Sequence, residues 1–289
     1  MMETLENLPA TARILDLGCA SGSFAPESVL ATTVRCDIKP LDLARRYYAV
    51  QGEAASLPFN SAVFDAVVCN HSLEHFQHLS FSLREIGRVL KPGGFLFISV
   101  PDANTVTDRI YRWLARGGGH VNQFRSAEAL VELVCRDSAV SHAATKTLCT
   151  SFSFMNRKNP HPPQPKRMVF FMWGMEWFLV TFNFLLRMLD RCFKLRTSVF
   201  GWALYFGTVA EPISNRPCVN VCVRCGQGHP SEWLRSIGSI RGFPVRFYRC
   251  PVCGTRNFFV RDECYSHLYQ QRVQAEAESV CLTVPHDST

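Results

Sequence analysis

The stretch ILDLGCASGSF, Ile14 to Phe24, decides the fold. Ile14 to Leu17 is an apolar run interrupted only by Asp16, and it breaks at once into a turn bracketed by Gly18 and Gly22. A strand that ends in a glycine turn is where an open α/β sheet holds a nucleotide-like ligand. The spacing here is Gly-x-x-x-Gly. A dinucleotide fingerprint needs Gly-x-Gly-x-x-Gly so that the backbone can approach a pyrophosphate. Cys19 stands between the glycines, and Asp16 would repel a phosphate while accepting a hydrogen bond from an ammonium group. The turn therefore fits a ligand with an amino-acid end, a nucleoside end and no phosphate.

Working outward, Thr33 to Cys36, Ala66 to Cys69 and Phe95 to Val100 are further continuous apolar runs. Continuity rather than alternation marks strands buried on both faces of a parallel sheet. Leu83, Ile86, Val89 and Leu90 fall on one helical stripe, which KPGG (Lys91 to Gly94) ends before the next strand. The predicted class is α/β, a doubly wound Rossmann-like sheet. ALVELV (Ala129 to Val134) reads as a surface helix, RKNPHPPQPKR (Arg157 to Arg167) as a proline-rich linker, and GWALYFGTVA (Gly201 to Ala210) as a late strand.

The motifs together resemble the class I S-adenosylmethionine-dependent methyltransferases, in particular the type 11 small-molecule group. ILDLGCASGSF is similar to the family's first motif; CDIKP, GEAASLPFNSAVFDAVVCN, HSLEHF and REIGRVLKPGGFLFISVP follow in the family's order, over roughly residues 12–130. The resemblance implies cofactor contacts from Asp16, Gly18, Cys19, Ala20, Gly22, Asp37, Glu53, Ala54 and Asn70. Asp37 would take the ribose hydroxyls, and Glu53 stands where the family usually has an Asp near the adenine. Only about a dozen residues precede the first strand, so the cover of the acceptor pocket is expected from 103–125 and 157–200.

Methyl transfer asks mainly for alignment, because the donor sulfonium is already activated. A base is needed only for a weakly nucleophilic acceptor. The candidates are Glu74, His75, His71 and His120. Glu74 and His75 match a family stretch that also shapes the pocket and holds its loop, and that structural role is the simpler reading of them. His120, in GGGHVNQF, follows three glycines in a loop that the family places near the acceptor.

Met168 to Leu189 is a long apolar segment with Glu176, Asn183 and Arg187 inside it and basic residues around it. A core or lid helix over the acceptor pocket, an interfacial helix touching a membrane through 166–196, and a true span compete for it; the internal charges disfavour the span.

Thirteen cysteines in a chain whose opening, Met1 to Ala10, shows no secretory signal suggest reduced thiols and metal ligation, and a cytoplasmic location, peripheral to a membrane if the apolar segment is interfacial. CVRCG and CPVCG place Cys222, Cys225, Cys250 and Cys253 in a C-x2-C-x24-C-x2-C array. Two such knuckles suit a structural Zn²⁺ and resemble a zinc ribbon; an iron site is the alternative. Cys218 and His229 lie nearby as alternative ligands, more simply read as a buried small residue and a loop imidazole. The expected organisation is a catalytic domain over 1–215, with 157–200 as a lid-like insertion, a ribbon over 216–261 and a polar tail over 262–289. Net charge is −2 over residues 1–100, +6 over 101–215 and +3 over 216–289, and 216–261 holds eight arginines against one acid, Glu232. Arg224, Arg235, Arg241, Arg246, Arg249 and Arg256 with Trp233, Phe243, Phe247 and Tyr248 offer a basic aromatic surface. The expected function is methylation of a small-molecule or lipid- or glycan-type acceptor. The alternatives are an RNA methyltransferase that uses the ribbon to bind its substrate, and a non-catalytic scaffold that keeps the fold; intact Asp16, Gly18, Gly22 and Asp37 argue against the scaffold.

Overall fold

The computed structural model describes residues 1–20, 22–41, 47–114, 119–159, 175–209, 213 and 216–268. After a short helix α1 (Met2–Leu5), the strands β1 (Arg13–Leu17), β2 (Thr32–Asp37), β3 (Tyr48–Gln51), β4 (Phe64–Asn70) and β5 (Leu90–Pro101) pair in parallel. With β6 (His142–Cys149) and β7 (Val199–Gly207) they form one seven-stranded sheet in the order β3-β2-β1-β4-β5-β7-β6, in which β7 runs antiparallel to both neighbours. The strand order reverses between β1 and β4, so the crevice outside the carboxyl ends of these two strands is the place for a ligand.

Alternate residues of the apolar runs face opposite sides. Leu15, Leu17, Val67 and Ile98 pack beneath the helices α2 (Leu79–Val89) and α4 (Ala127–Ser138), with Leu83, Ile86, Leu130 and Val134. Ile14, Ala66, Val68 and Phe97 form the core of the other face, with Leu5 and Tyr205. Where a doubly wound sheet usually sends a full helix after the glycine turn, a single 3-10 turn, Pro26–Ser28, connects β1 to β2. Ser126 caps α4 by accepting from Ala129 N at 3.2 Å, as expected for a serine at that position. Gly87 lets the two helices touch: a Cβ there would lie 2.1 Å from the Ser138 carbonyl.

The helix α3 (Val106–Leu114) precedes α4, and α5 (Glu176–Phe193) precedes β7. Residues 160–174, which include most of the proline-rich stretch and the start of the apolar segment, lie outside the described residues. Among the described residues no helix is long and apolar enough to cross a membrane; the first residues of the segment read as a candidate span, Met168 to Gly174, lie outside them. The buried residues of α5 are Leu179 and three polar side chains, Asn183, Arg187 and Asp190. Arg187 donates to the carbonyls of Val219 (3.0 Å), Ser198 (3.3 Å) and Thr150 (2.7 Å). Asp190 accepts from Thr197 N at 2.7 Å and Ser198 N at 2.9 Å. Asn183 Nδ2 donates to Ser151 O at 2.8 Å. The charges that disfavour a membrane interior therefore dock the helix on its own protein.

The last unit comprises β8 (Asn220–Val221), β9 (Gly228–His229), α6 (Ser231–Ser236) and the three-stranded β10 (Ile240–Arg241), β11 (Phe247–Arg249) and β12 (Arg256–Phe258). It leans on α5 through the Phe184–Phe258 ring pair, 4.3 Å between centroids, and a two-pronged ion pair of Arg224 with Glu176 (2.8 and 2.9 Å). The first residues of the stretch read as a polar tail, Asp262–Leu268, are folded against it. Tyr265 and Leu268 are fully buried, and the Tyr265 hydroxyl donates to Arg187 O at 2.9 Å. Residues 269–289 lie outside the described residues.

Candidate active site

β1 carries Asp16 to its carboxyl end and hands over to the glycine turn. Gly18 (φ +65°) and Gly22 (φ +111°) adopt backbone that a side chain resists. Space forbids one as well: a Cβ would lie 2.6 Å from Ser72 Cβ at Gly18 and 1.9 Å from Arg35 Nη2 at Gly22. Asp37 ends β2 and braces the turn, accepting from Ala20 N at 2.8 Å and Lys39 N at 3.0 Å. Each carboxylate oxygen keeps a lone pair for a ligand hydroxyl. Asp16 is fully buried. Its Oδ2 accepts from Ser23 N at 2.9 Å and faces Arg35 Nε at 3.7 Å. Its Oδ1 is buried with no partner among the described residues. Burial raises the carboxyl's pKa, with Ser23 and Arg35 pulling the other way. An unsatisfied buried acceptor costs about 1–3 kcal/mol, and an ammonium group arriving there would satisfy it.

The remaining expected contacts are grouped around this turn. Glu53 is exposed just after β3, and Gly52 N ties that loop to Asp37 O at 3.0 Å. Ala54 is buried beside it. Asn70 ends β4 and its Oδ1 accepts from Ser99 Oγ at 2.6 Å. Cys19 is buried, and burial pushes its thiol up to about 12. It therefore lines the turn as a neutral group and is no thiolate nucleophile.

A second cluster begins one residue past Asn70. Its core is the 3-10 turn Leu73–His75. The Glu74 carbonyl accepts from Val121 N at 2.8 Å and Asn122 N at 3.0 Å. His75 Nδ1 lies 3.1 Å from Gly119 O, and Asn122 Nδ2 donates to Leu73 O and Phe76 O at 2.9 and 2.7 Å. These bonds bring a loop from far along the chain onto the turn and set His120 beside Glu74 and His75. The ligating atoms of the three lie within 4.8 Å of one another, a spacing that also admits a metal ion. Tyr111 stacks on His120 at 5.5 Å, and the His75 ring meets it edge-on at 5.0 Å. Burial lowers the His120 pKa, against the attraction of Glu74. Burial works to raise the Glu74 carboxyl, but His71, 3.7 Å away, and neighbouring dipoles outweigh it and hold it below its usual range. A neutral imidazole thus stands beside an ionised carboxylate. Ser72 joins the clusters, since it is the side chain that meets Gly18.

The family description "Methyltransferase domain" matches residues 1–136, the segment that builds both clusters. Residues 1–136 are thus similar to a methyltransferase domain. The strand order and the glycine turn are those of the Rossmann-like sheet expected from the sequence. The chain is 32% identical over 167 residues to the malonyl-[acyl-carrier protein] O-methyltransferase of Enterobacter lignolyticus (strain SCF1), 52% of this chain and 63% of that protein. It is 32% identical over 136 residues to the ubiquinone biosynthesis O-methyltransferase of Xanthomonas oryzae pv. oryzae (strain PXO99A), 40% of this chain and 57% of that one. It is 38% identical over 102 residues to the demethylmenaquinone methyltransferase of Mycolicibacterium gilvum (strain PYR-GCK), 33% of this chain and 44% of that one. The chain thus spans less than two-thirds of the length of each of these curated relatives, between 44 and 63%. The solved structure of the [4+2]-cyclase SpnF aligns over 73% of this chain and 79% of its own at 18% identity, with a TM-score of 0.48.

Within the methyltransferase domain, sequence reading missed Asp108, Tyr111 and Arg112 on α3. Asp108 is buried, with Oδ2 on Arg112 Nε at 2.6 Å and Oδ1 4.0 Å from His120 Nδ1. The pattern Asp108-x-x-Tyr111-Arg112 puts all three on one helical face, but nothing in the sequence says that this face meets His120.

Beyond the domain, the Sγ atoms of Cys222, Cys225, Cys250 and Cys253 converge within 4.8 Å. Cys222 and Cys253 are 3.5 Å apart, Cys225 and Cys250 3.6 Å. Tetrahedral bonds of ~2.3 Å imply sulfur–sulfur edges near ~3.8 Å, so the four thiols could hold one ion with slight expansion. Gly226 and Gly254, at φ +73° and +72°, close each knuckle by donating to the carbonyls of Cys222 and Cys250. His229 Nε2 sits 3.3 Å from Cys250 Sγ, a hydrogen-bonding neighbour of the thiols, and Cys218 stays outside the group.

Proposed function

We propose that the chain transfers the methyl group of S-adenosylmethionine to a small-molecule or lipid-type acceptor at a weakly nucleophilic atom. The observation that carries this reading is the buried Asp16 Oδ1 beneath a turn that excludes side chains, with the His120 cluster next to it. Asp16 binds the ammonium end of the cofactor, Asp37 its ribose hydroxyls, and Glu53, Ala54 and Asn70 border the nucleoside. Gly18, Cys19, Ala20 and Gly22 let the backbone pass close beneath it. The bound cofactor supplies a methyl group already activated on a sulfonium. His120, neutral because it is buried, takes the acceptor's proton as the new bond forms. Glu74 and His75 hold its loop, and Glu74 steadies the imidazolium that results. Two of the relatives named above are O-methyltransferases, which favours an oxygen acceptor.

We also assign a structural zinc ion to Cys222, Cys225, Cys250 and Cys253, since a closed four-thiolate site leaves no position for catalysis. The outward face of α5 favours the lipid branch of the acceptor class. Trp177, Leu185, Leu189 and Phe193 are 60, 54, 40 and 68% exposed at intervals of four or eight residues, and Arg191, Lys194 and Arg196 lie exposed at its end. This suits a helix resting on an anionic surface.

Purified protein is incubated with methyl-labelled S-adenosylmethionine and fractionated cell extract. Label enters a small-molecule or lipid fraction and falls at least a hundredfold with His120→Gln. Label confined to RNA or protein overturns the acceptor class. Co-flotation with anionic vesicles, reduced by Leu185→Glu, tests the α5 contact, and no flotation at low salt removes it.

A further inference from the structure

Of the arginines that make residues 216–261 basic, the structure removes two from any external role. Arg224 is held by Glu176, and Arg235 pairs with Glu263 at 2.9 Å. The others include a patterned group. Arg241 pairs with Phe247 across β10 and β11, while Phe247 pairs with Phe258 and Arg249 with Arg256 across β11 and β12. Side chains directly opposite one another share a face. One face of this small sheet therefore carries Arg241, Arg249, Arg256, Phe247 and Phe258, and the other buries Tyr248 and Asn257. Arg241, Arg249 and Arg256 are exposed, and among the described residues none of the three meets a carboxylate.

The aromatics on this face form a column. Phe184 of α5 stacks on Phe258 at 4.3 Å, the Phe258 ring lies tilted against Phe247 at 4.5 Å, and the Arg256 guanidinium covers the Phe247 ring at 4.1 Å. The column is thus capped by a flat cation whose N–H edges remain available. Arg241 and Arg249 flank it. A carboxylate needs only the charge of such a surface. A nucleobase uses its plane, and the adjoining phosphates use the forks.

We propose that this face binds single-stranded nucleic acid, with a base stacked on the Arg256 guanidinium and neighbouring phosphates on Arg241 and Arg249. Phe243, 90% exposed beyond the end of β10, extends the stacking surface.

Fluorescence anisotropy of the full chain with a labelled 12-nucleotide oligouridine tests this. Two phosphate contacts give a salt slope near −1.4, so affinity falls about sevenfold between 50 and 200 mM salt. R241E/R249E weakens binding at least tenfold at 50 mM salt. Arg256→Lys keeps the charge and loses the plane, so it weakens oligouridine about tenfold and leaves an abasic strand of equal length unchanged. All these side chains are exposed, and thermal melts confirm that each variant is folded. No binding at 50 mM salt, binding indifferent to R241E/R249E, or equal affinity for polyglutamate overturns the proposal.

Discussion

At the residue scale the glycine turn makes a quantitative demand. Gly22→Ala must move the Arg35 guanidinium, which is held by Phe24 O at 2.9 Å and lies 4.2 Å over Tyr47, and must place a side chain at φ +111°. We expect a stability loss of about 1–3 kcal/mol and at least tenfold weaker S-adenosylmethionine binding, read together by denaturant unfolding and calorimetry. His120 makes the second. It accepts a proton only when neutral, and burial lowers its pKa below the ~6.5 of a free imidazole. The acid limb of kcat/KM therefore lies below pH ~6.5 and the rate is flat above it. His120→Gln lowers kcat by about 10²–10⁴-fold and abolishes the limb; a limb that persists in the variant assigns it to another group. Asp16, Gly18, Gly22 and Asp37 were legible in the sequence because their chemistry is local: a strand end, a turn and a carboxylate at a set interval. Asp108 and Tyr111 were not, because their role depends on a loop tied to the turn at Glu74 by long-range backbone hydrogen bonds.

At the scale of elements, α5 shows how pattern and environment part. Its sequence reads as an apolar helix, yet its buried residues are Leu179 and the polar Asn183, Arg187 and Asp190, and large apolar side chains point outward. The reason is that the loops around Thr150 and Val219 present carbonyls that Arg187 satisfies, with a further bond to Ser198 O. Arg187→Met leaves the Thr150 and Val219 carbonyls without this donor, while Ser198 O keeps Thr150 N, and we expect it to cost about 2 kcal/mol or more, measured as a lower urea midpoint. A loss below 1 kcal/mol contradicts this account of the docking. The convergence of the four cysteines was legible from their spacing, but the seat of the unit was hidden. Arg224, read as part of a basic surface, instead clamps the start of α5. Metal analysis should find one zinc ion per chain. Its removal by chelator should open the 222–253 loop to protease while leaving S-adenosylmethionine affinity within twofold. Undiminished protection in metal-free protein would show that the ion is not structural.

At the scale of the whole molecule, the parallel half of the sheet was readable because its strands are buried on both faces and so are continuously apolar. β3 and β6 escaped. Tyr48–Gln51 is short and half exposed, and His142–Cys149 (HAATKTLC) is a half-buried edge strand with small and polar residues. Both lie at sheet edges, where one side meets solvent and apolar content falls. The molecule joins two chemistries: a crevice at the reversal of strand order, and a cysteine unit bolted to the far end of the sheet through α5.

The central claim is that the Asp16–Gly22 turn holds S-adenosylmethionine, and calorimetric titration of the folded chain with that cofactor tests it most directly. The account predicts one site per chain, weakened at least tenfold by Asp37→Ala. A folded sample that takes up no cofactor would contradict it.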